Sequence, residues 1–137
     1  MEVLILLATA AVFVAIEVRL CRSHFRRLSE CGEAEARALV FMREILSEDD
    51  IEQLMCSGYV AVRSPSLTNR VYRIPAQTGP VAVYESGKLV MWLCVQPLER
   101  LPAADVVVMH KLMIEGCEEE YLRRANVDHA ANRILYL

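Results

Sequence analysis

The chain has 137 residues, enough for one domain that buries its own core together with one appended segment. A hydrophobic content of 55% excludes a disordered chain. The net charge of −3 becomes −5 when only residues 29–137 are counted, and this argues against a nucleic-acid-binding protein, because phosphate binding requires a basic face.

The first segment of the chain is a candidate membrane anchor. Thr9 is the only residue in the range 3–16 that is not apolar, and a helix that is apolar all round lies in lipid or is deeply buried. Because Glu17 and Arg19 can extend toward headgroups, the span reaches about 18 residues, or roughly 27 Å of helix. We predict an anchor over residues 1–20 in preference to a buried helix. A cleaved signal peptide is less favoured, because Glu2 precedes the run.

A basic segment follows the apolar run and gives the anchor a direction. Four arginines lie in or beside the predicted juxtamembrane collar, residues 21–31, and are expected at the membrane interface: Arg19, Arg22, Arg26 and Arg27. Under the positive-inside rule they place the N-terminus outside and residues 32–137, a small α+β domain, in the cytoplasm. The five cysteines, an odd number without CxxC spacing, are expected to be free thiols in a reducing compartment.

Two helices are predicted after the collar. Apolar residues recur at spacings of three and four between residues 29 and 46, which is typical of one buried helical stripe. Ser47 followed by three acids predicts an N-cap, and Gly58 predicts a left-handed stop, so a second helix is expected over about residues 48–57.

The period then changes to two, which indicates strands. Four short strands are predicted at residues 59–63, 71–74, 81–84 and 89–95, with a hairpin turn at 85–88. Four strands in series favour an antiparallel meander. The last of them is apolar on both faces and is therefore expected to be the central or best-covered strand.

The C-terminal part is predicted to be helical. Periodicity alone does not decide between helix and strand for residues 103–115, but Pro102 at the start and Gly116 after the end favour a helix. A further helix is expected from the acidic run 118–120, which we interpret as a solvated helix face. The predicted fold class is α+β: an N-terminal membrane-anchor helix, then helices packed on a four-stranded antiparallel meander.

Few residues suggest catalysis. Cys94 with His110 or His129 is a weak candidate for a nucleophile with a base, and the favoured interpretation is a small buried thiol for Cys94 and a boundary histidine for His110. No metal-ligand spacing and no glycine-rich phosphate loop occurs, so no metal and no cofactor is predicted.

A basic and aromatic surface is the stronger candidate site. Five residues on neighbouring predicted strands could form it: Tyr59, Arg63, Arg70, Tyr72 and Arg73. Such a surface suits an acidic peptide, a phosphorylated partner or lipid headgroups. The alternative is that the arginines are ordinary solvent-facing positions of alternating strands.

These observations predict a membrane-anchored, non-catalytic interaction or accessory-subunit module that faces the cytoplasm. Its expected partners are the lipid bilayer and a protein, either a different chain or a second copy of this one, and not nucleic acid. Two alternatives stay open. The chain could be a soluble subunit whose apolar N-terminal helix is buried in a larger complex, or a small cysteine-dependent enzyme.

Overall fold

A computed structural model describes residues 32–130 and shows an α+β domain, as predicted. In this range three helices accompany one five-stranded antiparallel sheet with the strand order β1-β2-β3-β4-β5. The elements in chain order are α1 (Glu33–Ile45), α2 (Glu48–Ser57), β1 (Tyr59–Arg63), β2 (Arg70–Pro75), β3 (Val81–Glu85), β4 (Lys88–Cys94), α3 (Ala103–Arg124) and β5 (Asn126–His129). The predicted anchor, the four collar arginines and the apolar residues 134–137 lie outside the described residues.

Local sequence signals set the ends of α2. The Ser47 hydroxyl accepts a hydrogen bond from the Asp50 backbone N–H, and the Asp50 carboxylate accepts one from the Ser47 N–H, which together form a capping box. At the other end Gly58 adopts the left-handed conformation with φ of 75°, which glycine reaches without a Cβ penalty. The predicted start and stop of this helix are both confirmed.

The predicted hairpin turn between β3 and β4 is also confirmed. Glu85 pairs with Lys88, and the two residues between them, Ser86 and Gly87, have φ values of 49° and 77°. Positive φ at both central positions matches the right-handed twist of the flanking strands, so the turn closes without splaying them. It thereby sets the register that brings β3 and β4 together.

The sheet has a fifth strand that the sequence did not predict. β5 pairs antiparallel with β4, so the expected four-stranded meander is wrong by one strand. The expectation that residues 89–95 form the best-covered strand is wrong as well. Leu93 is the only fully buried residue of β4, whereas Val81, Ala82 and Val83 of β3 are all buried. β3 lies at the centre of the sheet, while β4 is flanked by a strand of only four residues.

All three helices contribute to one core on a single face of the sheet. Alternate strand residues and the apolar stripes of the helices form it, and its larger members are Met42, Leu54, Val60, Val62, Tyr72, Ile74, Val81, Val83, Leu93, Val107, Ile114 and Tyr121. Residues of opposite parity, such as Ala61, Arg73 and Ala82, point to the other face. Within residues 32–130 no helix packs on that other face, which we call the open face.

Helix α3 carries most of the buried polar groups. It covers the predicted helix 103–115 and continues past a kink at Cys117, directly after Gly116. Its buried positions recur at spacings of three and four on both sides of the kink: Val107, His110, Ile114, Glu118 and Tyr121. The interpretation of the acidic run as a solvated face is therefore wrong for Glu118, which is 4% exposed. None of the helices described in residues 32–130 has the length and hydropathy needed to cross a bilayer.

Candidate functional site

The open face holds an arginine between two tyrosine rings. The Arg73 guanidinium on β2 lies 4.8 Å from the centre of the Tyr59 ring on β1 and 4.2 Å from that of Tyr84 on β3. Both distances are within the range of cation–π attraction. Arg73 has small neighbours directly across each strand pair, Ala61 and Ala82, so its side chain can reach the diagonal tyrosines.

The register extends this open face over four strands. Arg63 is exposed at the end of β1, and Trp92 of β4 lies half-buried opposite Ala82. Three of the five predicted surface residues, Tyr59, Arg63 and Arg73, thus share one face. The sequence interpretation missed Tyr84 and Trp92, although both follow the same alternation as Ala82 and could have been placed from it.

The other two predicted surface residues belong to the buried side. Tyr72 is fully buried among the core residues, and its hydroxyl donates a hydrogen bond to Glu118. Arg70 forms an ion pair of 2.7 Å with Glu85 and lies 3.6 Å from a Glu118 oxygen. The prediction of one continuous patch of five residues is corrected accordingly: the period of two sends Arg70 and Tyr72 to the helix side of the sheet.

Glu118 is the centre of a buried hydrogen-bond network. The Ser64 hydroxyl donates to Oε1 at 2.6 Å and the Ser66 backbone N–H donates to Oε2 at 3.1 Å, in addition to the bond from Tyr72. Burial opposes ionisation, but the hydrogen bonds from Ser64, Ser66 and Tyr72 outweigh it and lower the pKa of Glu118 to about 2. Burial and the neighbouring carboxylate raise the pKa of Tyr72.

This network has a structural role. Both carboxylate oxygens of Glu118 accept protein hydrogen bonds, and the Ser64 hydroxyl also accepts bonds from the Ser66 and Leu67 N–H groups. The network therefore ties α3 to the loop that joins β1 and β2. A carboxylate that is charged and already occupied in this way neither takes up a proton near neutral pH nor offers a free oxygen to a ligand.

A cavity of about 580 Å³ lies between the segment that follows β4 and the first half of α3. Cys94 and His110 both line it, so one of the two cysteine–histidine pairs that the sequence suggested borders the same cavity. The other pair does not come together. Cys94 pairs with Asn126 across β4 and β5, and the exposed His129 lies three residues further along β5, about 10 Å away along the strand.

His110 is a buried, neutral imidazole. Its side chain is 2% exposed, and its Nδ1 lies 2.9 Å from the hydroxyl oxygen of Tyr121, whose ring meets the imidazole edge-on at 5.7 Å between centres. Burial lowers the pKa of His110 to about 4, because the charged form loses its hydration without gaining a carboxylate partner. At neutral pH the ring therefore carries a single N–H.

Among residues 32–130 no three His, Cys, Asp or Glu side chains lie together so that they could hold a metal ion. Comparison of the chain with protein-family models, with curated proteins and with solved structures gives no match.

Proposed function

We propose that this chain is a non-catalytic interaction module that holds a protein partner on the open face of its sheet. The observation that carries the proposal is the position of Arg73 between Tyr59 and Tyr84 on a face that no described helix covers. Tyrosine, tryptophan and arginine are the residues that contribute most to protein interfaces. An arginine already held by two rings loses little further conformational entropy on binding, which favours affinity.

The charge of the open face defines the partner. Arg63 and Arg73 provide two cations, while tyrosine and tryptophan rings provide apolar contact beside them. A guanidinium binds a carboxylate through two parallel hydrogen bonds, and Arg73 lies over the faces of the two tyrosine rings. The proposed partner is a protein segment that combines carboxylates with apolar side chains.

The proposal includes a location at the membrane. The apolar range 3–16 followed by Arg19, Arg22, Arg26 and Arg27 supports an anchor over residues 1–20 with the domain on the cytoplasmic side, where it serves as an accessory subunit. Alkaline carbonate extraction of membranes from expressing cells tests this. We expect the full chain to stay in the pellet, and its release into the supernatant would rule out the anchor.

Deletion of residues 1–18 separates the anchor from the alternative of a helix buried in a soluble complex. If these residues anchor the chain, the shortened protein is soluble, monodisperse and still able to bind its partner. If they are buried in a complex, the shortened protein loses its soluble partner instead. Size-exclusion chromatography of the two forms gives the answer.

Site-specific photo-crosslinking tests the open face itself. A benzophenone amino acid in place of Leu89, opposite Tyr84 on the open face, is compared with the same residue in place of Ala36, which is exposed on α1. We expect a discrete crosslinked partner from position 89 that disappears with Arg73→Glu. The control Arg37→Glu makes the same charge change on the exposed surface of α1 and leaves the crosslink intact. A partner that crosslinks equally from position 36, or that survives Arg73→Glu, contradicts the proposal.

A further inference from the structure

We propose that the cavity beside His110 is a binding site for a small, neutral and largely apolar molecule that carries a carbonyl oxygen. This site is separate from the open face and does not depend on the function proposed for that face. A volume of about 580 Å³ lies within the range of sites that take small organic ligands.

Tyr121 determines which nitrogen of His110 carries the proton. The tyrosine is fully buried, and within residues 32–130 its hydroxyl has one hydrogen-bond partner, His110 Nδ1. A buried hydroxyl hydrogen that lacked an acceptor would destabilise the fold, so the hydroxyl donates to Nδ1. The neutral ring then bears its hydrogen on Nε2.

The Nε2–H group of His110 is open to the cavity. No hydrogen bond joins Nε2 to another described residue, and His110 is one of the residues that line the cavity. In residues 32–130 no side-chain nitrogen or oxygen is sealed from solvent without a partner, so Nε2 retains access to this space. His110, which is 2% exposed, thus presents one fixed N–H donor to the cavity. A ligand with a hydrogen-bond acceptor would satisfy this donor.

The remaining lining selects an apolar and uncharged molecule. Aliphatic and proline side chains line the cavity: Pro80, Val95, Pro97, Leu101 and Val106, together with the fully exposed Leu98. Glu99 and Arg100 are exposed at the rim and carry opposite charges, so they attract neither an anion nor a cation in net terms. Thr78 and Gln96 also line the cavity, so its wall is mostly apolar with a few polar groups. A fixed donor in such a wall is complementary to one carbonyl oxygen on a largely apolar body.

The same geometry favours binding over covalent catalysis by Cys94. A base that activates a thiol must accept a proton at a free nitrogen, but Nδ1 already accepts the Tyr121 hydrogen and Nε2 already holds one. Burial lowers the pKa of His110 and so further disfavours the imidazolium that such a step would form. Cys94 is accordingly part of the cavity wall.

Titration of the full chain with cyclohexanone tests the site. Methylenecyclohexane, which replaces the carbonyl oxygen with a CH₂ group, is the matched probe. Binding is followed by NMR through the His110 side-chain N–H and the backbone amides that line the cavity. We expect millimolar affinity for both probes. His110→Phe removes the donor but keeps an aromatic ring, and it should weaken cyclohexanone about five- to tenfold without weakening methylenecyclohexane.

A second variant keeps the test valid if His110→Phe disturbs the fold. Val106→Trp places a large side chain in the cavity from a half-buried position, and it should abolish binding of both probes. The control Leu112→Trp introduces the same residue at an exposed position of α3 outside the lining and should leave both affinities unchanged. Failure of cyclohexanone to bind, equal binding to the Val106→Trp variant, or equal weakening of both probes by His110→Phe would each overturn the proposal.

Discussion

Glu118 and His110 lie eight residues apart on the same buried stripe of α3 and are 4% and 2% exposed, but Glu118 is charged and His110 is neutral. Glu118 is ionised and accepts hydrogen bonds from Ser64, Ser66 and Tyr72. His110 is neutral and has Tyr121 as its hydrogen-bond partner among the described residues. Similar burial therefore has different consequences, and the difference lies in the number and type of the surrounding donors.

One helix therefore carries both a structural hydrogen-bond network, at Glu118, and a candidate ligand-binding group, at His110. Donors from β1–β2 and its connecting loop saturate Glu118, so its charge stabilises the fold and it is closed to ligands. The neutral His110 uses one nitrogen for Tyr121 and leaves the other toward the cavity. Unfolding of the domain can be followed by the fluorescence of Trp92, the one tryptophan in the chain.

Glu118→Gln should have the largest effect. The amide brings N–H hydrogens into a place surrounded by donors and removes the charge near Arg70, so we expect the free energy of unfolding to fall by roughly 4 kcal/mol. Urea denaturation of the full chain in detergent measures it. The control Glu119→Gln makes the same change at the exposed neighbour and should alter stability by less than about 0.5 kcal/mol. Equal effects at the two positions would contradict a special role for Glu118.

Acidification should have the next largest effect on stability, because His110 is buried as a neutral group. Its folded pKa of about 4 lies below the value of 6.5 for an unperturbed histidine, so the unfolded chain binds the proton more readily. Stability is complete above about pH 6.5 and is lost as the pH falls toward 4, by roughly 3 kcal/mol in total.

Stability curves between pH 7 and pH 4 check this dependence. The variant His110→Phe should show a shallower decline than the native chain, because it removes the group that must stay neutral. His129→Phe, at an exposed histidine of β5, should retain the native slope. A native slope in the His110→Phe variant would show that another group titrates.

Removal of the hydroxyl from Tyr72 and from Tyr121, in separate variants, compares the hydrogen bond to Glu118 with the hydrogen bond to His110. Tyr72 donates to the charged Glu118, and Tyr121 donates to the neutral His110, while both rings are fully buried. Because hydrogen bonds to charged groups contribute more, Tyr72→Phe should cost about 2 kcal/mol and Tyr121→Phe about 1 kcal/mol of unfolding free energy. Thermal or urea denaturation of the pair gives the ranking, and the reverse order would contradict the charge states assigned here.

Glu120→Gln should have the smallest effect on stability. The salt bridges to Arg123 and Arg124, each 2.6 Å, lower the pKa of Glu120 to about 2, but they lie on the solvent-exposed side of α3. Water and salt screen such contacts, so we expect a smaller change than for Tyr121→Phe, and one that vanishes in 1 M NaCl. A loss that equals that of Glu118→Gln would mean that burial does not govern these contacts.

Local signals predicted much of this fold. The capping box at Ser47, the left-handed Gly58 and the two-residue turn at Ser86 and Gly87 each depend on residues a few positions apart, and each is present in the structure. The alternation in β1 and β2 also separates Arg63 and Arg73, which reach the open face, from Arg70, which does not, although the predicted five-residue surface did not apply it to Arg70 and Tyr72. Such features need no knowledge of the distant chain, which is why the sequence alone indicates them.

Tertiary contacts account for the two features that the sequence did not predict, the strand β5 and the burial of Glu118. β5 is a four-residue segment with three polar residues, and it is a strand because β4 offers an edge to it. Glu118 cannot be told from Glu119 and Glu120 by composition, since its partner Ser64 lies 54 residues away. The spacing from His110 through Ile114 to Glu118 was nevertheless a usable signal, because it continues one helical stripe.

The charge state and tautomer of His110 test the central contrast most directly. In the full chain labelled with ¹⁵N-histidine, the side-chain nitrogen shifts report which ring nitrogen is protonated. We predict an unprotonated Nδ1 and a protonated Nε2 at pH 7, unchanged down to about pH 5, as a pKa of about 4 requires. A ring that is doubly protonated at pH 7, or that carries its proton on Nδ1, would contradict both the comparison with Glu118 and the donor assigned to the cavity.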